Sequence, residues 1–245
     1  MTTIQHDART DLADGLRMLL PPRVAVDARD RDDPGEWLFP EERAHVDSAV
    51  GQRVREFTTV RGCARRALAQ LGLPALPIVP GSGRAPIWPT GIVGSMTHCH
   101  RFRAAAVTTE GNAFAIGIDA EINSPLPVGV LPLITNASER EHLRSSVLGR
   151  SGVPRDKLLF SAKESIFKAW FPLARTWLDF TQCEITLRPG VFVGRLLVPG
   201  PVISNGPLQE MHGRWTVCGE HIFTTVTVPA APHDSITTHS HIRGG

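Results

Sequence analysis

The sequence predicts an α+β fold, in which helices pack on small antiparallel sheets. Each half of the 245-residue chain begins with segments of helical periodicity and continues with short alternating segments separated by turn residues. Hydrophobic residues make up 42% of the chain and charged residues 20%, so the chain can bury a proper core. We therefore expect a globular protein rather than a disordered one.

The first half is expected to contain two helices and two strands, with loops between them. Apolar residues recur at helical spacing in both helical segments, which stop at Pro21-Pro22 and at Gly72. A later segment rich in proline and glycine is a shaped loop, and a turn at residues 110–112 joins the strands. The predicted ranges are 12–20 and 40–71 for the helices, 27–36 and 74–91 for the loops, and 104–107 and 115–122 for the strands.

The second half repeats this order of helices followed by strands. The predicted ranges are 136–149 and 156–171 for the helices, and 183–188, 191–198 and 214–228 for the strands. We expect an N-terminal lobe over residues 1–115 and a C-terminal lobe over residues 116–228. The histidine-containing segment 229–245 is expected to be a disordered tail.

Charge and cysteine content exclude several classes of function. The net charge of +2 is too small to favour nucleic acid as a partner. The sequence has neither an apolar run of membrane-spanning length nor an N-terminal apolar signal region. The four cysteines form no zinc-like or redox pair. The chain is therefore expected to be cytoplasmic, with reduced thiols and no membrane partner.

The lysines are confined to one segment. All three lie between positions 157 and 168, whereas the other 23 basic residues are arginines. Lys163, Glu164 and Lys168 lie among aromatic residues in this predicted helix, which indicates a half-buried polar site. Glu164 and Lys168 are four residues apart, and a simple surface ion pair is the alternative interpretation.

A second candidate lies on the predicted strand 115–122. Alternation places Gly117, Asp119 and Glu121 on one face. Two neighbouring carboxylates repel each other unless a cation lies between them, and a third carboxylate at Glu164 would complete a set suited to Mg²⁺. Gly117 would leave room for a ligand. A solvated acidic face is the alternative.

Two further sets could hold phosphate. Ser95, Thr97 and His98 offer hydroxyl and imidazole groups just before a strand, and Arg53 and Arg61 lie on one face of the helix 40–71. Each set also has a plain structural interpretation, as a turn entering a strand and as a solubilising helix face.

These pieces resemble the 4′-phosphopantetheinyl transferases of the Sfp/EntD class, especially the actinobacterial enzymes of polyketide and nonribosomal peptide synthesis. The G-x-D-x-E strand followed by (W/F)-x-x-KE-x-x-x-K is very specific to that class, and this chain has both parts. The matching segments are REFTTVRGCAR (55–65), WPTGIVGSMTHCHRFRAAAV (88–107), IGIDAE (116–121) and FSAKESIFKAWFPLARTWLDF (160–180).

The resemblance implies two similar α/β lobes related by pseudo-two-fold symmetry, with coenzyme A in the cleft between them and a monomeric enzyme. It also implies roles for individual residues. Asp119, Glu121 and Glu164 would bind Mg²⁺, or Mn²⁺ in its place; Lys163 and Lys168 would contact the diphosphate; and the 3′-phosphate and nucleotide would be held by Arg53, Arg61, Ser95, Thr97 and His98.

In this family the serine hydroxyl of an acyl or peptidyl carrier protein attacks the β-phosphate of coenzyme A, and 3′,5′-ADP leaves. With Asp119 in the metal set, Glu164 is the candidate base and Lys168 the group that assists departure of 3′,5′-ADP. A Mg²⁺-dependent phosphodiesterase and a non-catalytic coenzyme A-binding protein are the alternatives.

One segment departs from the family pattern. Relatives have Lys-Gly-x-Pro before the tryptophan, but Gly83 stands here at the position of the lysine, and Arg84 is the expected substitute for its charge. Arg101 and Arg103, close to the nucleotide-binding segment, are candidates for the surface that meets an acidic carrier helix.

Overall fold

The computed structural model describes residues 12–145, 152–204 and 206–230. They form helices packed on antiparallel sheets, which confirms the predicted α+β class. Within these ranges no helix is both long enough and apolar enough to cross a membrane. Of the predicted tail 229–245, Pro229 ends the last strand, and residues 231–245 lie outside the described part of the chain.

The N-terminal sheet has three antiparallel strands in the order β1-β3-β2, and the long helix α3 covers one of its faces. The elements are α1 (Leu12–Arg17), β1 (Ala25–Arg29), α2 (Pro40–Arg43), α3 (Gly51–Gln70), β2 (Ile92–Cys99) and β3 (Phe102–Thr109). Between α3 and β2, a short 3-10 turn (Ser82–Arg84) and a single β-bridge between Pro80 and Pro86 interrupt the irregular segment predicted as the loop 74–91.

Three predictions for this half need correction. Ser95, Thr97 and His98 were expected in a turn just before a strand, but they lie within strand β2. The helix predicted over residues 40–71 is broken between α2 and α3, where Asp47 and Ser48 favour turn conformations over helix.

Strand β1 was not predicted because Asp27 and Arg29 gave it the composition of the charged loop that follows. In the structure Asp27 accepts a hydrogen bond from Arg66 of α3 at 2.9 Å. This partner allows an aspartate to lie within the strand.

The C-terminal sheet has five antiparallel strands in the order β4-β10-β9-β6-β5, and helix α6 packs on it. The elements are β4 (Ala113–Ile122), α4 (Leu131–Ile134), α5 (Ala137–Ser145), α6 (Arg155–Ala174), β5 (Cys183–Arg188), β6 (Val191–Leu196), β7 (Val202–Ile203), β8 (Gly206–Pro207), β9 (Glu210–Cys218) and β10 (His221–Pro229). The segment predicted as strand 214–228 is a hairpin, because Gly219 adopts φ 56° at its turn. The predicted end of the helix 136–149 lies outside the described residues.

Strand β4 joins the two sheets. Ile116, Ile118 and Ala120 share a core with Phe102 and Ala104 of the N-terminal sheet. The opposite face of β4 packs against α6, so the strand is buried between both parts of the molecule. The boundary expected between residues 115 and 116 therefore falls inside a single continuous strand.

A fully buried glutamate anchors each of the two long helices. Glu42 of α2 forms an ion pair with Arg65 of α3 at 3.1 Å and accepts a hydrogen bond from the backbone N–H of Ile78 at 2.8 Å. Glu139 of α5 forms an ion pair with Lys163 of α6, and it accepts the N–H of Ile185 at 2.8 Å. Each glutamate also accepts the backbone N–H three residues before it, as in a capping box.

Candidate active site

A cavity of about 340 Å³ lies where β2, β4 and α6 meet, between the two sheets. Its lining combines three carboxylates, an ammonium group, an imidazole and a hydroxyl with apolar side chains. The lining residues are Met96, Thr97 and His98 of β2, Asp119 and Glu121 of β4, and Phe160, Glu164 and Lys168 of α6. The acidic strand and the lysine-bearing helix thus face the same space, as the sequence predicted.

One face of α6 supplies the polar groups of this site. Lys157, Ser161, Glu164 and Lys168 recur at spacings of four, three and four residues, which places them on one side of a helix. Neither Lys157 nor Ser161 was among the predicted site residues, although this spacing is visible in the sequence.

These groups are paired across the boundary between α6 and β4. Lys168 donates hydrogen bonds to Asp119 Oδ1 at 2.7 Å and to the carbonyl of Ile118 at 3.0 Å, so it does not pair with Glu164 on its own helix. Ser161 donates to Asp119 Oδ2 at 2.8 Å, and Lys157 donates to Glu121 Oε2 at 3.1 Å.

Glu164 is the carboxylate that these contacts leave free. Its side chain makes no hydrogen bond or ion pair with any residue in the described ranges. Burial, followed by the negative charge of Asp119, raises the pKa of Glu164. The same two causes raise the pKa of Glu121. The site is therefore short of positive charge and holds one carboxylate available for proton transfer.

The three carboxylates are of the ligand type that a hard divalent cation prefers, but their oxygen atoms do not surround a common point in this structure. Among the described residues, no three His, Cys, Asp or Glu side chains are already placed to hold an ion. Lys168 and Lys157 instead neutralise Asp119 and Glu121. A set of oxygen donors without His or Cys suits Mg²⁺, which keeps several waters and needs few carboxylates.

Gly117 has a different role from the predicted one. A Cβ atom at this position would lie 1.8 Å from the carbonyl oxygen of Ser165, so glycine lets α6 pack directly on β4 and leaves no room for a ligand. This close approach brings Glu164 beside the acids of β4.

Arg53 and His98 come together at the rim of the cavity, as expected for a phosphate-binding pair. The guanidinium of Arg53 donates to His98 Nε2 at 2.8 Å. Glu56, which the sequence analysis did not single out, lies 3.5 Å from His98 Nδ1. Its position one helical turn after Arg53 was the available signal.

Ser95 and Thr97 form hydrogen bonds between β2 and β4, which are edge strands of the two sheets. The hydroxyl of Ser95 accepts the N–H of Ile118 at 3.1 Å, and that of Thr97 accepts the N–H of Ala120 at 3.1 Å. Strand β4 is an edge strand, and these hydroxyls satisfy N–H groups that no neighbouring strand pairs. Both hydroxyls are buried, but Thr97 lines the cavity and Ser95 does not, so the expectation that Ser95 holds nucleotide is corrected.

Lys163 does not face the cavity with Lys168. Its ammonium group donates to Glu139 at 3.0 Å and to the carbonyls of Phe180 and Cys183, and its side chain is 2% exposed. The expected contact with a diphosphate is therefore corrected: helix geometry turns this residue by about 100° from its neighbour Glu164 and into the C-terminal core.

Two arginines are also more deeply buried than expected. Arg61 lies on the ring of Phe57 and donates to the carbonyl of Ile78 at 2.9 Å, and burial lowers its pKa to about 9. In these contacts it supports the loop after α3 rather than facing the cavity. Arg103 is bound to Asp32 at 2.9 Å and is 5% exposed, so it is not part of an open carrier-binding surface.

The segment that departs from the family pattern is packed on α6. Gly83 adopts φ 60°, and a Cβ atom there would lie 2.4 Å from Cζ of Phe171. Arg84, which follows with φ 63°, is exposed. A lysine at position 83 would meet both backbone strain and a buried ring.

We expect Gly83→Lys to lower the free energy of unfolding by about 1–3 kcal/mol, because of the left-handed backbone and overpacking against Phe171. Ser82→Lys is the matched control, since it adds the same charge at an exposed neighbour without a positive φ. Chemical denaturation of both variants measures the difference. A Gly83→Lys protein as stable as the control would contradict this account.

A second, mainly apolar cavity of about 70 Å³ adjoins Glu164. It is lined by Lys163, Glu164, Phe167, Trp177, Leu178, Asp179, Phe180 and Cys183. Trp177 is 68% exposed and its ring lies 4.6 Å from that of Phe167. The cavity was not predicted, because its walls come from α6 and from the loop before β5.

Comparison with known proteins decides the family of the chain. A family model described as the 4′-phosphopantetheinyl transferase N-terminal domain matches residues 41–108, and that of the 4′-phosphopantetheinyl transferase superfamily matches residues 115–196. The chain belongs to the 4′-phosphopantetheinyl transferase family.

Individual relatives agree with this assignment. The chain is 53% identical over 203 residues to 4′-phosphopantetheinyl transferase Svp of Streptomyces mobaraensis, with 82% of each chain covered. It is 42% identical to Npt of Nocardia iowensis, covering 76% of this chain and 87% of Npt. It is 40% identical to PptT of Mycobacterium tuberculosis, covering 80% of this chain and 88% of PptT. This phosphopantetheinyl transferase is therefore an enzyme of the actinobacterial Sfp/EntD class.

Proposed function

We propose that the enzyme transfers the 4′-phosphopantetheine group of coenzyme A to a serine of acyl and peptidyl carrier proteins in a Mg²⁺-dependent reaction. The observation that carries this proposal is the cavity between the sheets. There the carboxylate of Glu164, which pairs with no residue of the described segments, lies beside Asp119, Glu121 and Lys168. These groups meet the needs of phosphoryl transfer: a proton acceptor, metal ligands and a cation near the leaving oxygen.

Coenzyme A would lie across the cavity, with its two ends in different surroundings. Arg53 and His98 at the rim would hold the 3′-phosphate of the nucleotide, and the exposed Arg84 is a further candidate for a nucleotide contact. The apolar cavity beside Glu164, with Phe167 and Trp177, suits the pantetheine arm. The diphosphate would then lie between these ends, near Lys168.

Asp119, Glu121 and Glu164 would hold the divalent ion, which is Mg²⁺ or Mn²⁺. When bound, such an ion neutralises the diphosphate oxygens and polarises the phosphorus that is attacked. Lys157 and Lys168, which now neutralise Glu121 and Asp119, would move toward the diphosphate and retain an anionic partner.

In the transfer step the oxygen of the carrier serine bonds to the β-phosphorus of coenzyme A. The bond from that phosphorus to the bridging oxygen breaks, and 3′,5′-ADP leaves with the electron pair. Glu164 takes the serine proton, directly or through a water molecule, because it is the cavity carboxylate that no described residue pairs. Lys168 stabilises the charge that develops on the leaving oxygen.

We also propose that the two halves are lobes related by pseudo-two-fold symmetry, with the active site in the cleft between them. The support is the repeated anchoring of a 20-residue helix by a buried glutamate, at Glu42 for α3 and at Glu139 for α6. A cleft formed within one chain needs no second subunit, so a monomer is proposed. Cys63, Cys99 and Cys183 are free thiols, which favours a cytoplasmic enzyme.

The names of the relatives describe phosphopantetheinyl transferases, and we propose that this chain serves carrier domains of polyketide and nonribosomal peptide synthesis. Arg101, at the tip of the β2–β3 hairpin, is exposed and remains a candidate contact for an acidic carrier helix. Nucleic acid is not proposed as a partner, since the net charge is only +2.

The test is incubation of purified enzyme with coenzyme A, Mg²⁺ and an apo carrier domain, followed by intact-protein mass spectrometry. We expect the carrier to gain one phosphopantetheine group, and we expect EDTA to abolish the gain until Mg²⁺ is restored. A carrier whose serine is replaced by alanine is the control. Steady release of 3′,5′-ADP without a carrier would point to a phosphodiesterase, and binding of coenzyme A without turnover would point to a non-catalytic protein.

A further inference from the structure

The contact between Arg53 and His98 fixes the protonation state of the ring. A guanidinium group can only donate hydrogen bonds, so His98 Nε2, 2.8 Å from the nitrogen of Arg53, accepts. The imidazole is therefore neutral and carries its proton on Nδ1. That nitrogen lies 3.5 Å from Oε2 of Glu56.

Glu56 is held firmly in this position. Its Oε1 accepts a hydrogen bond from Gln52 at 3.1 Å and lies 3.5 Å from Arg103, which is itself bound to Asp32. The side chain is 14% exposed. Glu56 and His98 thus form a carboxylate–imidazole pair, in which the acid orients the ring and leaves Nε2 toward the cavity rim.

Without an anion, the surroundings keep the ring neutral. The His98 side chain is 38% exposed, so its desolvation is partial; this desolvation and three nearby cations lower its pKa, and Glu56 opposes them. The cations are Arg53 on α3, Arg103 on β3 and Lys168 on α6, and the carboxylates of Asp119, Glu121 and Glu164 line the same cavity. A bound anion would offset the same cations.

We propose that the Glu56–His98 pair takes up one proton from solvent when the 3′-phosphate of coenzyme A binds. The inference rests on the proposed function. Arg53 turns from Nε2 to the phosphate, Nε2 gains the proton and donates to a phosphate oxygen, and Nδ1–H continues to face Glu56. Glu56 is thereby a positioning residue for recognition of a phosphate monoester.

The proton is required by hydrogen-bond chemistry. An unprotonated Nε2 and a phosphate oxygen are both acceptors and repel each other at contact distance. A protonated ring between two anions, the carboxylate and the phosphate, is stabilised from both sides. A ligand that lacks the 3′-phosphate brings no second anion to stabilise the protonated ring, so the ring stays neutral when that ligand binds.

Isothermal titration calorimetry tests this in the presence of Mg²⁺ at about pH 8, where a free phosphate monoester is already dianionic. Heats measured in buffers of different ionisation enthalpy give the protons taken up on binding. We expect coenzyme A to bind with uptake of about one proton more than dephospho-coenzyme A, which lacks the 3′-phosphate. The comparison removes any protons displaced by the metal.

Two variants separate this role from simple structural support. His98→Gln retains a donor for phosphate, so it should bind coenzyme A with no excess proton uptake. Glu56→Gln should lose most of the uptake and bind coenzyme A about tenfold more weakly, which corresponds to about one unit in the pKa of the ring. Glu110→Gln removes an equal charge at an exposed turn and should behave as the unmodified enzyme.

The outcomes are distinct from those of the proposed function. If coenzyme A binds but its proton uptake equals that of dephospho-coenzyme A, the inference is wrong and the transferase proposal stands. Unchanged uptake in His98→Gln also overturns it, since the proton would then reside elsewhere. If coenzyme A does not bind at all, both proposals fail.

Discussion

Glu164→Gln is expected to lower kcat for phosphopantetheine transfer by about 10³-fold while the protein remains folded. The glutamine keeps the size of the side chain but cannot accept the serine proton or provide a charged metal ligand. Because the carboxylate of Glu164 has no partner among the described residues, its replacement breaks no hydrogen bond or ion pair. The loss should therefore fall on the chemical step.

The pH dependence of the transfer rate should reflect the role of Glu164 as the general base. Glu164 must be ionised to act as a base, and burial together with Asp119 raises its pKa. Because the proton and the divalent ion compete for this carboxylate, activity at low Mg²⁺ is expected to fall as the pH drops through that raised pKa, earlier than for an ordinary glutamate. Transfer rates to an apo carrier across a pH series, at saturating coenzyme A, measure the profile.

Glu141→Gln is the control for the same chemical change, since its side chain is 70% exposed and its ion pair with Arg144 is a surface pair that contributes little stability. It should retain the activity and thermal stability of the unmodified enzyme. If a folded Glu164→Gln protein turned over at the rate of the control, Glu164 would not be the base, and the site proposed here would be wrong.

Lys163→Met, one residue earlier, is expected to act on stability. Removing one partner of a buried ion pair leaves the other charge without compensation, and such losses amount to about 3–5 kcal/mol. Here the remaining charge would be Glu139, which is fully buried and also binds the N–H of Ile185. The carbonyls of Phe180 and Cys183 would lose their donor as well.

Denaturant titration measures this difference, and the double variant Lys163→Met/Glu139→Gln provides the control. Removing both charges should restore a large part of the lost stability, because the uncompensated carboxylate is then absent. If the Lys163→Met protein kept the free energy of unfolding of the unmodified enzyme but no longer bound coenzyme A, this account would be wrong. The expected contact between Lys163 and the diphosphate would then be supported.

These neighbouring residues illustrate which parts of the site could be predicted. Residue types and the family motif predict the acidic strand and the lysine-bearing helix. They also predict that these two elements contribute to one site. Helical spacing would also have grouped Lys157 and Ser161 with Glu164 and Lys168, had it been applied to every residue of α6. Lys163 was misassigned because the motif names residues in order along the chain, whereas the helix turns each one to a different side.

The same limit applies to the fold. Periodicity and turn residues determined the α+β class and most of the helices and strands, since these depend on neighbours in sequence. Strand β1 was hidden because Asp27 looks like a loop residue until Arg66 of another element supplies its partner.

The sequence by itself thus determined the reaction class and the order of most elements, and it predicted the carboxylates that we propose to carry the reaction, because these are properties of local pattern. Only the tertiary structure decided which polar groups are free. Ser95 bonds to β4, Lys163 to Glu139 and Arg103 to Asp32, whereas Glu164 has no partner within the part of the chain that the structure describes. The physical reason is that a polar side chain is satisfied by groups close in space, and folding brings those groups from distant parts of the chain.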